Sequence, residues 1–177
     1  MVKNVLNTLR KKQKNNKGFS LVELIVVIAI MAVLVGVLAP QLIRYVEKSR
    51  EATDIQNCDS IATTLKTYFS DKEGVTGTVK VAVKENGEVD VTKGAAGDTF
   101  DPGEVKGALK DAGLESTNLK GNGWKKQENE NVKKIDIFYH IDSGKITYKC
   151  ESDHYKADGT SSKIESKKAK APEENNQ

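Results

Sequence analysis

From Phe19 to Ala39 the chain is apolar for 21 residues, with Glu23 as its one charged side chain. At 1.5 Å per residue such a run makes a helix of about 31 Å, close to the roughly 30 Å hydrocarbon core of a bilayer. The pattern predicts a membrane-spanning helix. Beyond Pro40 the periodicity changes. Ile55, Cys58, Ala62, Leu65 and Phe69 recur at spacings of three and four, so they line one face of an amphipathic helix that continues from Gln41 to about Asp71. Glu47, Lys48, Arg50, Glu51 and Asp54 read as the solvated surface of that rod.

Gly74 and Gly77 end the helical pattern. Residues Val79–Lys84 and Val89–Val91 flank Asn86-Gly87, a strong hairpin signal because both residues tolerate positive φ. Asp101-Pro102-Gly103-Glu104 reads as N-cap, N1, N2 and N3 of a short helix with Val105, Ala108, Leu109 and Ala112 on its buried side and Gly113 as its stop. After a polar loop holding Trp124, Ile135, Ile137, Tyr139 and Ile141 alternate with polar or outward positions. Ser143-Gly144 turns the chain, and Ile146, Tyr148 and Cys150 repeat the alternation. From Ala157 onward the composition predicts a flexible tail. The fold class is α+β, a long N-terminal helical spine with a small antiparallel sheet domain on its C-terminal half. Its divisions are a basic leader over 1–18, an apolar helix over 19–39, the amphipathic continuation over 40–71, a head over 72–156 and the tail over 157–177.

Charge supplies an orientation. Lys3, Arg10, Lys11, Lys12, Lys14 and Lys17 precede the apolar run with no acid among them, which holds that end in the cytoplasm and sends the head outward. The chain has 28 basic and 25 acidic side chains, a net +3; without the six leader bases the balance is 22 against 25. Net charge therefore gives no support to a nucleic-acid partner once the leader is set aside. A secretory signal peptide fits poorly, because its apolar region is about 7–15 residues long and ends at a small-x-small site. Here the only such site, Val37-Leu38-Ala39, is followed by Pro40.

Glu23 is the costly residue, since an acid at a helix centre in lipid costs about 2.5–3.5 kcal/mol on insertion scales and somewhat less near an interface. The order Lys17, Gly18, Phe19, Ser20, Leu21, Val22, Glu23, Leu24, followed by the apolar run to Pro40, resembles the class III signal of type IV prepilins and pseudopilins. The resemblance covers residues 17 to 50 in detail, and the rest by architecture only. It implies cleavage between Gly18 and Phe19 by a membrane-embedded prepilin peptidase and N-methylation at Phe19. It further implies neutralisation of the new Phe19 amine by Glu23 of an adjacent subunit. An intrachain pair between Phe19 and Glu23, at i and i+4, is an alternative reading. The family also implies distortion of the helix before Pro40. Gly36 is the residue whose carbonyl the proline ring would meet, although many members carry their glycine nearer mid-span, where this chain has Ala32.

The implied function is a structural subunit stored in the cytoplasmic membrane and polymerised into an extracellular pilus for adhesion, motility or aggregation. Its partners would be copies of itself, the peptidase, and the pilus assembly platform with its ATPase. A pseudopilin of a type II secretion or DNA-uptake system is the alternative, and a membrane-anchored binding domain that never polymerises is a third reading.

Cys58 and Cys150 each fall on the predicted buried face of their elements. In an oxidising compartment they would form a disulfide that closes a loop of about 93 residues, contributing roughly 4–5 kcal/mol in the chain-entropy model. Two buried free thiols are the other reading. His140 and His154 lack the Cys or carboxylate spacing of a metal site, and Asp153, Asp158 and Gly159 suit a turn better than a calcium loop. With no phosphate loop or nucleophile elbow either, the sequence points to no cofactor and no enzyme.

Overall fold

The computed structural model describes residues 18–126 and 132–167. The leader, save Gly18, and the last ten residues of the expected tail lie outside them. The chain forms two compact units, residues 1–43 and 44–177. One helix, α1 (Leu21–Ser70), contributes to both.

In the first unit α1 is exposed on every side. Leu24, Ile28, Leu34 and Leu38 are each more than half accessible. Among the described residues nothing covers this apolar surface, and α1 is long and apolar enough to cross a membrane. The helix is continuous through Gly36 and Pro40. A single proline removes one ladder hydrogen bond, and a Cβ at Gly36 would meet nothing within 4 Å.

In the second unit the remainder of α1 lies against an antiparallel sheet. The strands are β1 (Thr78–Lys84), β2 (Val89–Lys93), β3 (Lys134–His140), β4 (Lys145–Glu151), β5 (Tyr155–Asp158) and β6 (Glu165–Ser166), in the spatial order β2-β1-β3-β4-β5-β6. Register sets the core. Val81 pairs with Val91 on one side and Ile137 on the other, and Ile137 pairs with Tyr148, so one apolar row crosses four strands. Period two in each strand turns these side chains to the same face. They meet Cys58, Ile61, Ala62, Leu65 and Phe69 of α1, all buried. Phe69 stacks on Tyr139 at 5.6 Å between ring centroids and meets Phe100 edge-on at 6.0 Å. Burial of each large side chain contributes about 1.5–3 kcal/mol; truncating Leu65 to Ala would cost about 2–5 kcal/mol.

The short helix α2 (Pro102–Asp111) starts as the sequence predicts. The Gly103 amide donates to Asp101 Oδ1 at 2.7 Å, Pro102 takes the first turn, and Gly113 follows the end with φ 72°. Val105 and Leu109 are its buried residues. Glu104 turns away to accept the Tyr68 hydroxyl at 2.9 Å, which ties α2 to α1.

Two expectations change. The segment from Ala157 is not a tail as far as Ser166: β5 pairs with β4 through Cys150 and Ala157, and β6 closes on β5. Its polar side chains face outward while backbone pairing supplies the order. The outer face of the sheet is also less solvated than alternation suggests, since Lys134, Asp136 and Thr147 are buried. Asp136 lies 3.6 Å from both the Lys80 and Lys134 ammonium groups, and such lysines cover a carboxylate with their aliphatic stems.

Candidate functional site

At its N-terminal end the chain reaches α1 through Gly18 and Phe19, both exposed and outside the helix. Ser20 is the N-cap. Its Oγ accepts the Val22 amide at 3.4 Å, and its carbonyl accepts the Leu24 amide at 3.2 Å. Glu23 reaches back, so that the Ser20 amide donates to Oε2 at 2.8 Å. This is a capping box, Ser-x-x-Glu, in which two otherwise orphaned amides gain side-chain acceptors. A carboxylate in the first turn also faces the positive end of the helix dipole. Sequence reasoning assigned Glu23 to the Phe19 amine alone; the spacing of Ser20 and Glu23 carries the cap as well.

A second group of acids sits on the second unit's part of α1. Glu47, Glu51, Asp54 and Cys58 follow one another at the same four, three, four spacing as the apolar stripe, and they continue that stripe toward the N-terminus. They are not a solvated surface. Asp54 is 1% exposed and accepts the amides of Lys120 and Gly121 at 2.9 and 2.8 Å and the indole N–H of Trp124 at 2.8 Å. Glu47 accepts the amides of Asn122 and Gly123. Glu51, fully buried, accepts from the Ser152 hydroxyl at 2.8 Å and lies 3.1 Å from His154 Nδ1.

The loop can come this close because it carries two glycines. A Cβ on Gly121 would fall 2.6 Å from Glu51 Cγ and 2.9 Å from Trp124 Nε1, and one on Gly123 would overlap Glu51 Oε1. That oxygen has no hydrogen-bond partner and is packed against the glycine instead. Buried carboxylates are tolerated where donors converge on them. Here backbone amides of residues 120–123 supply most of the donors.

Both cysteines are brought into one core, and both are free thiols. The expected disulfide is therefore not formed in this structure. Burial pushes the Cys58 thiol well above its ordinary pKa, with nearby Cys150 adding to the shift; burial pushes Cys150 up to about 12. Neither thiol is a nucleophile at neutral pH. His140 Nδ1 faces Thr78 Oγ1 at 3.0 Å, far in sequence from His154 and its partner Glu51. Asp158 is occupied by the amides and hydroxyls of Thr160 and Ser161, which hold its carboxyl well below the usual range. Among the described residues no three His, Cys, Asp or Glu side chains are grouped to hold a metal ion.

Residues 13–39 match the family model of the prokaryotic N-terminal methylation motif. The chain is also similar to the type IV major pilin protein PilA of Myxococcus xanthus (strain DK1622), with 33% identity over 58 residues. That alignment covers 33% of this chain and 26% of the relative, so the similarity spans about a quarter of the relative's length. No solved structure matches. The matched motif contains Gly18, Phe19, Ser20 and Glu23, and the helix it opens continues into an α+β head of the kind the prepilin resemblance implies. The N-terminal segment thus carries the prokaryotic N-terminal methylation motif and is similar to the corresponding part of a type IV pilin.

Proposed function

We propose that the chain is a structural subunit of a type IV pilus. A peptidase cuts between Gly18 and Phe19 and methylates the new amine; the subunit waits in the cytoplasmic membrane with its head outside, then polymerises through α1 into a surface filament used for adhesion, motility or aggregation. The observation that carries this reading is the exposed apolar part of α1, which begins inside the methylation motif. Such a surface needs lipid before assembly and other copies of itself afterwards. Glu23 is the acid that meets the Phe19 amine of a neighbour, an attraction that is strong where water is scarce. The distortion at Gly36 and Pro40 belongs to the packed filament, because α1 is unbroken in the single chain.

N-terminal analysis of protein recovered from the cell surface tests the proposal. The expected terminus is N-methylated Phe19. A terminus at Met1 would overturn the processing step and the filament reading with it.

A further inference from the structure

Four acids lie on the part of α1 that follows Arg44, and the head occupies every one. Glu47 and Asp54 hold the amides of residues 120–123, Glu51 holds Ser152 and His154, and Asp59 accepts the Tyr148 hydroxyl at 2.7 Å. The bases of the same segment, Arg44, Lys48, Arg50 and Lys66, are all exposed. Among the described residues only Arg50 of these has a carboxylate in reach, Glu47 at 3.7 Å. Asp59 stays exposed beside Tyr148, so it is at the start of this segment, at Arg44 and Lys48, that the accessible charge is positive.

Where α1 ends the sign reverses. Asp71 and Glu73 follow the last turn and are exposed, and neither forms an ion pair among the described residues. Close by, Glu104 engages Lys72 at 3.4 Å, so the one base of that corner is already paired. Some 25 residues of helix separate the basic start from the acidic end, about 37 Å along the axis. That is more than about four Debye lengths at physiological salt, too far for the two groups to neutralise each other within one molecule. Opposite charges fixed at opposite ends of one body are complementary in a second copy placed head to tail, which is the heterologous contact that builds open filaments.

We infer that Arg44 and Lys48 of one copy dock on Asp71 and Glu73 of another copy. The contact rests on the pilus reading and specifies which surfaces meet when subunits stack. It also gives the inward turn of Glu47, Glu51 and Asp54 a second consequence: each acid bound to the head is one that does not cancel the basic side.

Charge exchange tests the pairing in cells that carry the variant chain as their only copy. Arg44→Glu with Lys48→Glu should lower the yield of sheared surface filaments at least five-fold, with unchanged subunit in the membrane by immunoblot. Asp71→Lys with Glu73→Lys should do the same, and the chain bearing all four changes should recover at least half the wild-type yield. A four-fold variant no better than either pair would overturn the contact. Unchanged yield from the basic-side pair would also overturn it; weaker retention of that pair in phosphatidylglycerol than in phosphatidylcholine vesicles would then point to a lipid-headgroup role.

A cross-link covers the case in which a charge variant fails to accumulate. Filaments of the Lys48→Cys, Glu73→Cys chain should give a covalent ladder on mild oxidation, since Cys58 and Cys150 are buried; monomer alone would count against the contact. Absence of filaments from wild-type cells strikes the pilus reading itself, whereas filaments without charge rescue or ladder strike only this contact.

Discussion

The indole N–H of Trp124 donates to Asp54 Oδ2 at 2.8 Å, and the two residues are 2% and 1% exposed. A large aromatic ring gains by burial only if its polar atom finds an acceptor, and a carboxylate survives burial only if donors converge on it. Each residue meets the other's requirement. The amides of Lys120 and Gly121 supply the remaining donors, so the loop before β3 is held to α1 by polar contacts inside an otherwise apolar head.

Asp54→Ala should therefore destabilise the head by roughly 3 kcal/mol, because it strands three donors, two of them buried, and leaves a void. Asp54→Asn should cost less, since one oxygen still accepts. Trp124 is the sole tryptophan, so its fluorescence during urea unfolding of the full chain reports the midpoint. An unchanged midpoint in Asp54→Ala would show that the contact contributes nothing to stability. Lys66→Ala, on the exposed side of the same helix, should change stability by less than about 0.5 kcal/mol.

The glycines of the loop give a second measure of the same packing. Gly123→Ala should lower the unfolding midpoint by an amount equivalent to about 1–3 kcal/mol, because the added methyl overlaps the Glu51 carboxylate, itself fixed by Ser152 and His154. Gly107→Ala should instead raise stability by up to about 1 kcal/mol, since that residue is inside α2 with nothing within 4 Å of a new Cβ and alanine is the better helix former. Equal effects at both positions would mean that loop packing does not set the cost.

Alkaline pH separates free thiols from a bonded pair. A thiol whose pKa is raised by burial binds its proton more tightly in the folded state, so its stabilising effect is complete below the unfolded value near 9 and is lost as pH rises through the folded one. Cys58, Cys150 and the Tyr148 phenol all shift in this direction through burial. Unfolding midpoints should fall from about pH 9 upward, and Cys150→Ala should flatten the decline between pH 9 and pH 12. In folded protein at pH 8 a thiol reagent should label neither cysteine, and after unfolding it should label both. Failure to label either cysteine in unfolded, unreduced protein would show that export had joined them.

Much of this fold was legible from two periodicities. The three-and-four stripe from Ile55 to Phe69 and the alternation around Ile135 and Tyr148 locate the core, and Asp101-Pro102 locates the start of α2. Glu47, Glu51 and Asp54 escaped because charge was read as solvent exposure. Their spacing continues the stripe, but their donors are loop amides, which carry no side-chain signature. The strands β5 and β6 escaped for a related reason: their pairing is made by backbone, while residues such as Lys156, Thr160 and Ser161 have the composition of a tail. At the N-terminus the motif located the site, but its attention to Glu23 as a charge obscured Ser20 and the capping box between them.

That box makes one substitution unusually informative. In a capping box the third helical position serves equally as Glu or Gln, since either can accept the amide of the cap residue. Neutralising an ammonium in a poorly solvated bundle requires the charge. Glu23→Gln keeps the acceptor for the Ser20 amide and discards the carboxylate; Glu23→Ala discards both. If the acid acts through the Phe19 amine of a neighbour, both variants should be processed at Gly18 and both should lose filament yield by ten-fold or more. If it acts by starting α1, Glu23→Gln should assemble nearly as wild type and only Glu23→Ala should fail. Filament yield per unit of processed subunit, compared between these two chains, decides between the functions of one carboxylate.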